Sequence, residues 1–346
     1  MRYLNLLLIA ALLAIVGSFL HWSPLLLFWL AALGVIPLAG IMGEATEALA
    51  FHIGPRAGGL LNATLGNAAE LIITIFAIRE GLLDLVKASI TGSILGNILL
   101  VMGGSLLLGG LRHGRQQFDR HHAGVNATQM ILAFIALAIP SLFFFSSRET
   151  SGPVEYLSLG VAAAMILIYV LGLVFSLGRG GEHQAEEEAH RPTQPVGRAL
   201  GLLIGATVFI AWLSEILVGA VEHAVAVMGV SEFFIGIIIV PLVGNVAEHL
   251  VGVQAAMKNR MELSLSISIG SSLQIALFVA PVLVFVSLLF GHPLTLVFNA
   301  FEVIALFAAS LVAALVAIDG ESHWLEGAQL LVVYLIISLA FFYLPV

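Results

Sequence analysis

Eleven stretches of this chain are apolar over lengths near the ~20 residues a helix needs to cross a hydrocarbon core, with short Gly-, Pro- or charge-bearing breaks between them. They run roughly from Leu4 to Leu20, Ser23 to Phe51, Gly59 to Ile78, Ala88 to Leu111, Val125 to Ser146, Val154 to Leu177, Gly197 to Ala220, Ser231 to Met257, Leu263 to Phe290, Pro293 to Ile318 and Trp324 to Leu344. Lipid offers a backbone no hydrogen bonds, so a spanning segment must satisfy itself as a helix or within a closed barrel. Barrel strands would alternate apolar and polar residues with period two, and these runs do not. The expectation is an all-α polytopic membrane protein with about 11 transmembrane helices.

Charge agrees with that class. Hydrophobic residues make up 60% of the chain and charged residues 10%, a balance no soluble core of 346 residues requires. With the N-terminus placed in the cytoplasm and the chain alternating sides at each span, Arg2, Arg56, Arg112, Arg115, Arg120, Arg179, Arg191, Arg198, Lys258 and Arg260 fall inside. Arg79, Lys87 and Arg148 fall outside, a split of 10 to 3 in the sense of the positive-inside rule. The C-terminus is then external, and the expected location is the cell membrane. Arg2 before an apolar run with small residues at Gly17 and Ser18 also fits a cleaved signal sequence, and removing it would leave the other ten spans unchanged. The absence of cysteine excludes disulfides and thiolate metal sites. The basic residues form no face that would hold nucleic acid, and nothing in the sequence specifies an oligomeric state.

Inside this apolar frame the chain repeats itself. GNAAELII at Gly66 to Ile73 returns as GNVAEHLV at Gly244 to Val251. In one gapless register Gly66, Asn67, Ala69, Glu70, Ala77, Leu85, Gly92, Ser93, Leu95 and Leu99 recur as Gly244, Asn245, Ala247, Glu248, Ala255, Leu263, Gly270, Ser271, Leu273 and Leu277. The implied organisation is an N-terminal transmembrane helix over 1–22, a first five-helix repeat over 23–178, a cytoplasmic acidic linker over 179–197 and a second five-helix repeat over 198–346. Five crossings is an odd number, so the second copy enters from the opposite side and the repeats are inverted in topology, with their motifs meeting near the midplane.

Asn67 and Glu70 are three residues apart and share a helical face, with Thr74 a turn further on, and Asn245 and Glu248 repeat that face. Gly66, Gly244 and Pro241 mark places where a helix can break or be closely approached, and Asn62 and Thr64 add groups that bond to backbone. Carboxylate, amide, hydroxyl and freed carbonyl oxygens are hard donors of the kind calcium takes in six- to eight-fold coordination. An ionised carboxylate at the bilayer centre costs on the order of 3 kcal/mol, so two acids at matched positions point to use, although a buried, hydrogen-bonded pair tying helices together would give the same pattern.

GNAAELIITIFA and GNVAEHLVGVQAAMKN resemble the paired signature repeats of calcium/proton antiporters, within the calcium/cation antiporter superfamily. The resemblance extends over essentially the whole chain, including ATEALA at Ala45, SEILV at Ser214 and GSSLQIALFVAP at Gly270. Sodium/calcium exchangers typically carry Pro-Glu in these repeats, so Ala-Glu resembles the proton-coupled branch. The resemblance implies that Glu70 and Glu248 are the calcium ligands and proton acceptors, with Asn67 and Asn245 beside them. It matches Ser93, Asn97, Ser271 and Gln274 to the helix after each repeat, although the register opposes Ile275 to Asn97. It implies a secondary transporter, not an enzyme, that exchanges cytoplasmic Ca2+ for external H+ by alternating access. Ca2+ is the transported substrate and no cofactor is needed. A sodium-coupled calcium exchanger or another divalent-cation/proton antiporter is the competing expectation.

Other acids in apolar surroundings are weaker candidates. Glu47 and Glu215 either line the ion path or pair with Arg56, and Glu44 and Glu222 stand near span ends. Glu302 aligns with Gln129 if Asn299 is matched to Asn126, and it is either functional or merely hydrogen-bonded to its neighbours. His249 can relay protons or tune Glu248, whereas adjacent helix positions diverge too far for both to ligate one ion. In the linker, Glu182, Glu186, Glu187 and Glu188 form a solvated joint or a weak calcium sensor at the cytoplasmic mouth.

Overall fold

A computed structural model describes residues 4–147, 152–178 and 194–344. Eight helices in it are long and apolar enough to cross a membrane: α2 (Pro24–Ile53), α5 (Leu83–His113), α6 (Arg120–Ser147), α7 (Gly152–Gly178), α8 (Val196–Gly219), α10 (Glu232–Met257), α11 (Met261–Leu289) and α13 (Trp324–Tyr343). Two shorter apolar helices, α1 (Leu8–Phe19) and α12 (Ala300–Asp319), accompany them. Among the described residues the other α-helices are α3 (Pro55–Leu65), α4 (Ala68–Arg79) and a short α9 (Val221–Met228), which lies in the break between the seventh and eighth apolar stretches. The chain is an integral membrane protein.

Three features depart from a picture of unbroken spanning helices. The stretch from Gly59 to Ile78 is not one helix, because α3 ends at Leu65 and α4 starts at Ala68. At the break Asn67 leaves the helical region with φ −103° and ψ 28°. The second motif is not broken there. A π-turn over Ile235–Ile239 precedes Pro241 and carries α10 past it, absorbing the hydrogen bond that a proline cannot donate. Matched π-turns lie in α5 at Gly96–Val101 and in α11 at Ile275–Val279, the second again just ahead of a proline, Pro281.

The third departure is the tenth stretch. From Pro293 the chain is extended, and helix begins only at Ala300. Leu294, Leu296 and Phe298 alternate into the core, each about 1 to 2% exposed. Their backbone N–H groups donate to the hydroxyls of Ser287 (2.8 Å), Ser158 (3.0 Å) and Ser141 (2.9 Å). Non-helical backbone is tolerated in an apolar environment only where protein supplies its hydrogen bonds, and three serines from α11, α7 and α6 do so here. The expectation of a purely helical chain also fails at one end of the bundle, where Gln116–Gln117 (β1) and Glu321–Ser322 (β2) pair antiparallel.

One continuous core runs through both halves, joining Ile73, Ile78, Leu85, Ile94 and Ile98 to Ile235, Ile237, Ile269, Ile275 and Leu283. α2 packs along α8, α5 along α13, and α6 along α12. Glycines set the closest approaches. Gly103 of α5 faces Gly327 of α13, and a Cβ on Gly327 would collide with the α5 backbone. Gly92 lies against the carbonyl oxygen of Ile237, the acceptor that Pro241 leaves without its usual partner.

Candidate functional site

The duplicated motifs meet in the core. α4 carries Glu70 and α10 carries Glu248, while α5 and α11 bring Ser93 and Ser271 alongside. Each carboxylate accepts a hydrogen bond from the serine 23 residues further on, Glu70 from Ser93 and Glu248 from Ser271 (2.7 Å for the latter). The asparagines then cross between copies. Asn245 donates to Glu70 Oε1 at 2.9 Å and lies 3.4 Å from Ser93 Oγ, and Asn67 Oδ1 lies 3.1 Å from Ser271 Oγ. Asn97 donates to Ser271 at 3.1 Å, and Asn67 donates to Gln274 Oε1 at 2.7 Å. The eight residues that the repeats and their following helices contributed as candidates thus fall into two hydrogen-bonded groups, Glu70 with Ser93 and Asn245, and Glu248 with Ser271, Asn67, Asn97 and Gln274, each of which joins side chains of both repeats.

The motif glycines let the copies interlock. A Cβ on Gly244 would stand 3.0 Å from Glu70 Cγ, and one on Gly66 would stand 3.0 Å from Gln274 Oε1. Each glycine therefore makes room for a side chain of the opposite repeat.

The two carboxylates are not equivalent. Glu70 is 3% exposed, and its Oε2 is buried with no hydrogen-bond partner. Glu248 is only partly buried. A buried carboxylate oxygen without a donor is a costly vacancy unless a proton or cation fills it at some stage of the cycle. Among the described residues no three His, Cys, Asp or Glu side chains group into a metal cage. A cation here would be held by two carboxylates supplemented by amide and hydroxyl oxygens, a donor set suited to a hard divalent ion.

The other candidates lie elsewhere. Glu215 is half-exposed and pairs with Arg79 at 2.8 Å. Arg79 also contacts Glu80 and stacks over the Phe76 ring. Sequence reasoning placed Arg79 in a loop and missed this bridge between α4 and α8, since their packing has no signature in the local sequence. Glu47 is exposed on α2. Glu302 is buried at the third position of α12 with both oxygens occupied: Oε1 accepts from Thr91 (2.8 Å) and Oε2 from the Asn299 N–H (2.9 Å), completing a capping box. The Asn-x-x-Glu spacing at Asn299 is the cap signature that would have identified this role. The ring of His249 is largely buried and its Nε2 makes no hydrogen bond. Glu182, Glu186, Glu187 and Glu188 lie outside the described residues.

Comparison with known proteins gives the family. The family model described as sodium/calcium exchanger protein matches residues 23–178 and 198–343. A protein of Aphanothece halophytica named Ca(2+)/H(+) antiporter is 44% identical over 351 residues, covering 96% of this chain and 94% of its own. The Ca(2+)/H(+) antiporter ChaA of Bacillus subtilis is 44% identical over 339 residues, covering 96% of each. The solved structure of native YfkE superposes with a TM-score of 0.87 at 42% identity, over 99% of this chain and 100% of that one. The chain belongs to the sodium/calcium exchanger protein family, among relatives that are named Ca2+/H+ antiporters.

Proposed function

We propose that this protein exchanges cytoplasmic Ca2+ for external H+ by alternating access, with Glu70 and Glu248 as the shared site for both ions. The observation that carries this reading is the reciprocal contact of the two motifs, in which Asn245 bonds to Glu70 and Asn67 meets Ser271 beside Glu248, while one oxygen of Glu70 has no partner. Protons and calcium need the same carboxylate oxygens, so occupation by one excludes the other. A carrier that changes sides only when that site is filled converts an inward proton gradient into outward calcium movement.

Ser271 gives the exclusion a local mechanism. A hydroxyl has one proton, and Ser271 Oγ lies within reach of both Glu248 Oε2 and Asn67 Oδ1. With Glu248 ionised the proton goes to the carboxylate. With Glu248 protonated it is released to the Asn67 oxygen, which calcium would otherwise take.

The matches to 23–178 and 198–343 support two copies of one unit. Their odd number of crossings, eleven spans in all and the 10 to 3 distribution of basic residues support inverted repeats, a cytoplasmic N-terminus and linker, and an external C-terminus in the cell membrane. The deciding experiment is calcium uptake into sealed proteoliposomes under a pH gradient, repeated with a sodium gradient. Uptake with counterflow of protons, and with a KM for Ca2+ that rises as protons are added on the calcium side, is expected. Uptake driven by sodium alone would assign the sodium-coupled alternative.

A further inference from the structure

Gln274 and Gly96 hold matched positions in the gapless register of the two repeats, yet only one of them has a side chain. We propose that Gln274 is a positioning residue that turns the oxygen of Asn67 toward the cation, and that the missing side chain at Gly96 leaves Asn245 free to turn its NH2 group to Glu70 instead. This rests on the ion site proposed above and assigns different tasks to its two amides.

An amide has a donor end and an acceptor end, and whichever end is engaged elsewhere is withdrawn from the site. Gln274 Oε1 takes the donor end of Asn67 at 2.7 Å, leaving Asn67 Oδ1 directed at Ser271 beside Glu248. Gly96 has no side chain to take the donor end of Asn245, which goes to Glu70 Oε1 at 2.9 Å and reaches Ser93 Oγ at 3.4 Å. Two asparagines from identical motif positions thus present opposite ends. Calcium ligation needs oxygens, so Asn67 is the ligand of the pair. An ionised carboxylate needs donors, so Asn245 is the member of the pair that supports the charged form of Glu70. Gly66 serves the same arrangement, since any Cβ there would press on Gln274 Oε1.

The test measures initial calcium uptake against Ca2+ concentration in proteoliposomes. Gln274→Met keeps the chain length and removes the acceptor. The KM for Ca2+ should rise about tenfold, the weight of one oriented hydrogen bond, with the maximal rate within about twofold of wild type. Gln274→Glu keeps an acceptor oxygen and should restore most of the affinity. An unchanged KM in the Met variant overturns the proposal, and so does an equal loss in Met and Glu variants, which would mark a packing role. Should the Met variant not insert, Gly96→Gln puts the same question. It builds the absent side chain into open space, is expected to draw Asn245 off Glu70 and slow exchange, and wild-type kinetics there overturn the proposal. Exchange that survives Glu70→Gln would instead defeat the underlying site reading.

Discussion

Asn245 donates a hydrogen bond of 2.9 Å to Glu70 across 175 residues of chain, joining the second copy of the motif to the acid of the first. The bond serves an oxygen that also accepts from Ser93, so two donors hold one side of a buried carboxylate while its other oxygen stays open.

Removing that donor should cost affinity. A hydrogen bond to a charged group contributes about 1.5–3 kcal/mol, so Asn245→Ala should raise the KM for Ca2+ by about ten- to a hundredfold. Uptake kinetics on matched amounts of inserted protein provide the measurement. Wild-type affinity would mean that the Asn245 contact is incidental.

The acids themselves should be indispensable. Glu70→Gln and Glu248→Gln keep the side-chain shape and remove the ionisable oxygen pair, and each should abolish exchange while the protein still inserts and melts cooperatively in detergent. Exchange by either variant at more than a few per cent of the wild-type rate would reassign the site.

Gly92 and Gly270 are equivalent in the repeat but not in the fold. A Cβ at Gly92 collides with the Ile237 carbonyl, whereas one at Gly270 meets nothing within 4 Å. Gly92→Ala should therefore destabilise by about 1–3 kcal/mol and Gly270→Ala should be nearly neutral. Thermal unfolding in detergent compares them directly, and equal melting temperatures would contradict the packing described.

Ser141 accepts from the Phe298 N–H and donates to the Leu296 carbonyl at 3.3 Å. Ser141→Ala strands both groups in an apolar core and should lower stability by about 1–3 kcal/mol, with activity per folded molecule retained. A melting temperature within error of wild type would show that the extended segment finds other partners.

The Arg79–Glu215 pair is half-exposed on both sides, so it should contribute little to stability, and less in high salt. In a double-mutant cycle, Arg79→Gln, Glu215→Gln and the combination should differ little in stability. If Glu215 instead conducts ions, its single variant will slow exchange and removing Arg79 as well will not restore it.

Membrane class, the approximate extent of most helices and the side chains that meet where the two repeats touch were legible in the sequence. Apolar length is a one-dimensional property, and lipid forces it into helix. The repeat named Asn67, Glu70, Ser93, Asn245, Glu248 and Ser271 because an expensive buried acid kept at two matched positions signals use. The sequence could not announce that Pro293 begins an extended segment, since the serines that satisfy it come from three other helices. The cap formed by Glu302 was legible in its spacing from Asn299, but the bond from Thr91, 211 residues away in the chain, was not.

The two Gly-Asn-x-Ala-Glu strings determine that this chain carries a paired motif, but not that its halves differ. Tertiary structure alone decided that Glu70 is sealed while Glu248 is partly open, and that Asn67 is gripped by Gln274 while Asn245 turns to Glu70. The reason is physical. Burial and the direction of an amide depend on what the opposite repeat places within about 3 Å, and that neighbour is distant in sequence.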